Sequence, residues 1–169
     1  MTLRIVDIVE GTGVDGAGLR TAIYTAGCAH ACPGCHNPET WPFDSGRDAS
    51  HEELLEIVER NGFNVTFSGG DPMYQALALA PLASEIRKRG YSVWCYTGFT
   101  FEQLLEMPEA RECLRHIDIL VDGPFVERLR DPDLRFRGSS NQRIIDVPAS
   151  LAAGHAIEAT RYTCNPYSL

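Results

Sequence analysis

No stretch of this 169-residue sequence approaches the ~20 consecutive apolar residues that a membrane-spanning helix requires. The amino-terminal MTLRIVDIVEG has neither a long apolar run nor a small-residue cleavage site, so no secretory signal is expected. Basic runs are missing too. Lys and Arg number 15 against 23 Asp and Glu, for a formal charge of −8, and no Lys/Arg cluster offers the footprint of a nucleic-acid binder. Repeats, low-complexity tracts and linkers are not found. These absences leave a cytoplasmic globular protein, with residues 1–169 as one domain. A chain of this length buries roughly 70% of its unfolded surface, enough for a core without staples.

What the sequence does have is cysteine in one place. Of its six cysteines, Cys28, Cys32 and Cys35 fall within eight residues of the segment AGCAHACPGCHNPETW. A reducing compartment disfavours disulfides and makes clustered thiols candidates for metal ligation. The i, i+4, i+7 spacing suits one helix face, but Pro33 and Gly34 make a regular helix improbable there, so the thiols sit on a loop. A loop lets three thiolates converge on three irons of a 4Fe–4S cube while the fourth iron has no protein ligand. A structural zinc site completed by His30 or His36 is the alternative. Cys95, Cys113 and Cys164 have no clustered spacing and read as packing residues.

Periodicity places strands at Leu3–Val9, Leu19–Gly27, FNVTFSGGDP, YSVWCYTG, IDILVDG and RIIDV. Helices are expected in DASHEELLEIVERNG, with Ser50 as N-cap and Gly62 as terminator, and in YQALALAPLASEIRKRG, interrupted or bent near Pro81. TFEQLLEMPEARECLRH reads as one or two short helices broken before Pro108. Strands trading places with helices predict an α/β fold of βα units on a mainly parallel sheet, open or partly closed into a barrel. Ligands of such sheets gather at the carboxyl ends of strands, where the glycine turns and the cysteine loop fall. GTGVDG, Gly11–Gly16, matches a dinucleotide fingerprint, but a strand rather than a helix follows it, so that reading is rejected.

The CxxxCxxC of GCAHACPGCHNPETW resembles the signature of the radical S-adenosylmethionine (SAM) superfamily. VDGAGLR before it and CHNPETW after it resemble the activating enzymes of glycyl radical enzymes, with Ala17 where proline is usual. FSGGDP, YTG and VDGPFVERLRDPDLRFRGSSNQRIIDV narrow the likeness to activases of the anaerobic, class III ribonucleoside-triphosphate reductase. The resemblance implies an open, partial βα barrel, with Cys28, Cys32 and Cys35 binding a 4Fe–4S cluster whose fourth iron is chelated by SAM. It puts Ser68, Gly69, Gly70, Asp71 and Pro72 at the methionyl group. It also implies SAM-pocket places for Gly34, His36, Tyr96, Thr97 and Asp122, with Asn141 and Arg143 as further site residues. His30 is expected to face solvent. The implied reaction is reductive cleavage of SAM by an electron from a flavodoxin-like or other low-potential donor. The resulting 5′-deoxyadenosyl radical takes hydrogen from a backbone glycine of the reductase.

Overall fold

The computed structural model describes residues 1–163, so Cys164 lies outside the described residues. Seven strands among these residues form one mixed sheet: β1 (Thr2–Thr12), β2 (Arg20–Thr25), β3 (Arg47–Ser50), β4 (Asn64–Gly69), β5 (Val93–Tyr96), β6 (Ile119–Asp122) and β7 (Arg143–Asp146). Their spatial order is β3-β1-β2-β4-β5-β6-β7. The strands β2, β4, β5 and β6 are parallel, as alternation with helices requires. Antiparallel strands flank them, with β1 on β2, β3 on β1 and β7 on β6. The α/β expectation holds, and the sheet is open.

Alternation along the strands sorts side chains between two faces. Val93, Cys95, Leu120 and Ile145 join the large core, where Leu54 and Val58 of α1 (His51–Asn61) meet Leu79, Leu82 and Ile86 of α2 (Ala76–Lys88). Phe101 and Leu104 of α3 (Phe101–Leu105) and Leu114 of α4 (Pro108–Leu114) complete it. The intervening Trp94, Ile119, Val121 and Ile144 point the other way, into a smaller cluster with Ala159, Phe136 and Tyr162. Helices α1 to α4 therefore cover one face. A last helix, α5 (Val147–Ala153), follows β7. Among the described residues no helix is long and apolar enough to cross a membrane.

Local signals explain most element ends. Ser50 Oγ accepts from the Glu53 N–H at 3.1 Å, and Gly62, at φ 68°, closes α1 with its N–H on the Val58 carbonyl. The bend expected at Pro81 does not break α2, which runs through it. Proline denies a donor to the Leu77 carbonyl, but Pro81 and Leu77 both lie on the solvent side, where water can take that role. The strand β3 is an addition to the sequence reading, which gave its residues to the approach of a helix.

The GTGVDG segment ends β1 and begins the turn into antiparallel β2, and no helix starts there. Arg20 follows, fully buried. Its guanidinium donates to Thr66 Oγ1 and the Val65 carbonyl, both at 2.8 Å, and to the Ala17 carbonyl at 3.1 Å, strapping β2 to β4 and to the turn. It lies 5.3 Å from the Trp94 ring, and burial pushes its pKa down to about 10.

Candidate cofactor site

All four parallel strands deliver their carboxyl ends to one region. After β2 come Gly27 and the cysteine loop; at the end of β4, Ser68–Asp71; after β5, Thr97 and Gly98; after β6, Gly123. Cys28, Cys32 and Cys35 share a concavity of about 130 Å³ with Ser68, Gly69, Gly70, Tyr96 and Thr97, and also with His30, Trp41, Gly98, Gly123, Phe125 and Gln142. The sequence reading named the first eight of these as site residues. Gly98 and Gly123 belong to the strand-end motifs YTG and VDGPF that it also singled out, whereas Trp41 and Gln142 carried no signal of their own and His30 was given a solvent-facing place.

Glycine is obligatory where β4 exits. Gly69 has φ 104°, and a Cβ on it would lie 2.5 Å from the Thr25 nitrogen. A Cβ on Gly70 would lie 2.6 Å from the Gly27 carbonyl oxygen. The turn thus packs backbone against backbone on the entrance to the cysteine loop, with the Gly70 N–H on Thr25 O at 2.8 Å and the Asp71 N–H on Gly27 O at 2.9 Å. The two ends of that loop are also tied together, because Gly27 N–H donates to Thr40 O at 2.8 Å and Cys28 N–H to Trp41 O at 3.1 Å.

The three thiols are half-buried. Burial pushes the Cys28 thiol up to about 11, so it is protonated at neutral pH until a metal displaces the proton. Cys35 Sγ accepts from Trp41 Nε1–H at 3.4 Å and from the Asn37 N–H at 3.5 Å. Among the described residues no three His, Cys, Asp or Glu side chains converge closely enough to grip a single metal ion. Three thiols spread around one concavity suit a cluster, which takes each at a different iron, better than a zinc ion, which needs them all at one point. Neither histidine completes a zinc set: His30 Nε2 is 2.6 Å from Asp71 Oδ2, and His36 packs edge-on to Phe125 at 5.3 Å.

The remaining expected residues are placed differently. Asp71 and Pro72 are buried behind the glycine turn and do not line the concavity. Thr97 lines it, but its hydroxyl is committed, donating to Asp71 Oδ2 at 2.9 Å and accepting from the Phe99 N–H at 3.1 Å. Gly34 backs onto Glu127, and His36 lines a neighbouring cavity of about 400 Å³ whose shared wall is Cys35, Tyr96, Phe125 and Gln142. Asp122, 1% exposed, accepts from the Phe101 N–H at 2.8 Å and from Arg143 Nε at 3.1 Å, while Arg143 also grips Glu102. These carboxylates hold the Arg143 guanidinium pKa well above its usual value. Asp122 and Arg143 are thus a clamp beneath the site. Asn141 donates to the Pro124 carbonyl at 2.8 Å on the exposed side, and its neighbour Gln142 faces the cavity instead. Cys95 and Cys113 are buried in the core, as expected of packing residues, and burial raises both thiols, Cys113 to about 12.

Residues 14–145 match the family described as 4Fe–4S single cluster domain. Anaerobic ribonucleoside-triphosphate reductase-activating proteins are similar across most of the chain. That of Vibrio cholerae is 36% identical over 143 residues, 78% of this chain and 90% of the relative. The Haemophilus influenzae protein is 32% identical with the same coverage, and the Escherichia coli K12 protein 35% identical over 149 residues, 81% and 91%. Among solved structures, QueE from Escherichia coli superimposes with a TM-score of 0.50 at 26% identity, covering 59% of this chain and 54% of that one. With its cysteine loop, glycine turn and strand order in place, the chain belongs to the 4Fe–4S single cluster domain family and, within it, to the anaerobic ribonucleoside-triphosphate reductase-activating proteins.

Proposed function

We propose that this protein activates the anaerobic ribonucleoside-triphosphate reductase, using a 4Fe–4S cluster and SAM to generate a radical on a glycine of that enzyme. The observation that carries this reading is the meeting of three half-buried thiols with the bare backbone of Ser68–Gly70 in one concavity. When bound, the cluster and SAM together supply the reductive cleavage of SAM that leads to the glycyl radical.

The chain's own residues bind, orient and shield. Cys28, Cys32 and Cys35 would hold three irons, and Cys28 gives up its proton on loading. Gly69 and Gly70 line the concavity and, having no Cβ, would let the backbone come close to the methionyl group. Tyr96, Phe125 and Gln142, common to both cavities, give a mostly apolar wall that keeps water from the reacting atoms. The open sheet is read as a partial βα barrel, residues 1–169 as one domain, and the reductase's surface as the cover for its open side. A flavodoxin-like or other low-potential donor in the cytoplasm would supply the electron.

The test is anaerobic. The protein is reconstituted with iron and sulfide, reduced with dithionite and given SAM, and 5′-deoxyadenosine is quantified with and without the reductase. A glycyl radical signal on the reductase by electron paramagnetic resonance is expected, and Cys32→Ala abolishes iron binding and cleavage. A colourless, zinc-loaded protein that leaves SAM intact refutes the activity. Cleavage without a glycyl signal refutes the partner.

A further inference from the structure

His30 lies between the first two cysteines, yet its side chain turns inward and is only 16% exposed. Its Nε2 meets Asp71 Oδ2 at 2.6 Å. The same oxygen accepts from Thr97 Oγ1 and from the Gly98 N–H, both at 2.9 Å, and Oδ1 accepts from the Met73 N–H at 3.0 Å. One carboxylate, 1% exposed, thereby takes donors from the cysteine loop, the glycine turn and the end of β5. The other three partners of this carboxylate are all donors, so an Nε2–H on His30 completes a set of four. The ring is braced as well, edge-on to Phe99 at 4.5 Å and tilted on Tyr74 at 5.6 Å. A Cβ on Gly98 would come within 2.6 Å of His30 Cδ2, so glycine there leaves room for the imidazole.

We propose that the His30–Asp71 hydrogen bond is a strut that fixes the middle of the cysteine loop against the turns at the ends of β4 and β5. It sets the spacing between the thiols and the backbone of Ser68–Gly70 before either cofactor arrives. The inference rests on the activase reading for its consequence, since SAM and cluster must be held at one separation. Among the described residues, backbone bonds hold the loop to its surroundings at its ends, Gly27 and Cys28, and within it the Cys35 N–H closes a single turn on the Cys32 carbonyl at 3.1 Å. Along the loop, Ala31 and Gly34 have φ of 52° and 76°, a path with no repeating hydrogen bonds to stiffen it. His30 and Asp71 are positioning residues. A displacement of about 1 Å at a reacting centre costs about 100-fold in rate, so a strut here is worth its ordering entropy.

The experiment compares His30→Ala, His30→Gln, Asp71→Asn and the His30→Ala/Asp71→Asn double variant. Iron and sulfide content, the paramagnetic resonance spectrum of the reduced cluster during SAM titration, and amide hydrogen exchange of residues 28–35 in the metal-free chain are measured. His30→Ala is expected to load iron fully, to need about 10–100-fold more SAM for the spectral change, and to exchange faster in the metal-free chain. His30→Gln, whose amide can donate to the carboxylate, recovers most of both losses. The double variant is no worse than the poorer single one. Unchanged exchange and SAM titration in His30→Ala overturn the proposal, and so does an equal loss in His30→Gln. If the unsubstituted protein shows no spectral response to SAM, the activase reading fails, while exchange in the metal-free variants still decides the strut.

Discussion

Replacing Gly70 by alanine tests whether the glycine turn and the cysteine loop are packed as tightly as their backbones imply. The new Cβ would stand 2.6 Å from the Gly27 oxygen and 2.9 Å from its carbonyl carbon, where ordinary contact begins at 3.4 Å, so a gap of about 0.8 Å must open. No side chain can swing aside. Gly27 is held through its N–H to Thr40 and through its carbonyl to the Asp71 N–H, and the displacement passes to Cys28, its neighbour. Overpacking of this kind costs about 1–3 kcal/mol, which for a chain of this size lowers Tm by roughly 2–12 °C. On the proposed function the catalytic loss should exceed the stability loss, approaching about 100-fold, because Cys28 and the backbone proposed to face SAM would move apart together. Thermal melts of the metal-free chain and SAM cleavage at saturating SAM read the two effects. Gly13→Ala serves as control, since nothing lies within 4 Å of a Cβ there. A Gly70→Ala protein that melts within about 1 °C of the parent and cleaves SAM within about twofold would refute the packing argument.

Arg143→Ala leaves the buried Asp122 carboxylate with only the Phe101 N–H and should cost about 2–3 kcal/mol, less than a fully buried pair because Arg143 is 30% exposed. Glu102→Ala, removing an exposed partner of the same arginine, should cost less than about 1 kcal/mol, and both variants should load iron normally. Urea unfolding checks the first pair of values and iron analysis the second. In the metal-free chain Cys28 should react with iodoacetamide about 100-fold more slowly than a thiol of ordinary pKa, from a rise of about two units caused by burial; peptide mass mapping over time measures it. Ser50→Ala removes the acceptor for the Glu53 N–H and should lower stability by about 1 kcal/mol without altering SAM cleavage, read by melts and product assay.

Signals confined to a few neighbouring residues were legible in the sequence. Ser50 and Gly62 marked both ends of α1, the six expected strands exist, β1 longer than expected at both ends and the other five trimmed by a few residues, and the cysteine loop falls at a strand exit as the parallel-sheet rule requires. Features that depend on distant partners were not. The strand β3 is four residues long with three exposed, and it exists because β1 offers it an edge. The polar segment RGSSNQR, residues 137–143, gave no sign that Gln142, rather than Asn141, would face the cavity, since that depends on where the loop bonds to Gly123 and Gly138. His30 looked like a loop histidine because its partner lies 41 residues away, and only the fold brings Asp71 beneath it. At Pro81 an interruption of the helix was one of two expectations, and it does not occur, because solvent can reach the carbonyl that proline leaves without a donor.

Trp41 and Asn37 both direct N–H groups at Cys35 Sγ. Such donors draw electron density from a thiolate, and an iron–sulfur centre whose ligand sulfur is so treated accepts an electron at a higher potential. In the proposed cluster, the corner that Cys35 would hold is therefore electronically distinct. That asymmetry comes from an indole six residues along the chain, whose own position is set by the Cys28 N–H on its carbonyl. The same short loop that would choose where the irons sit would also set how readily they take up charge.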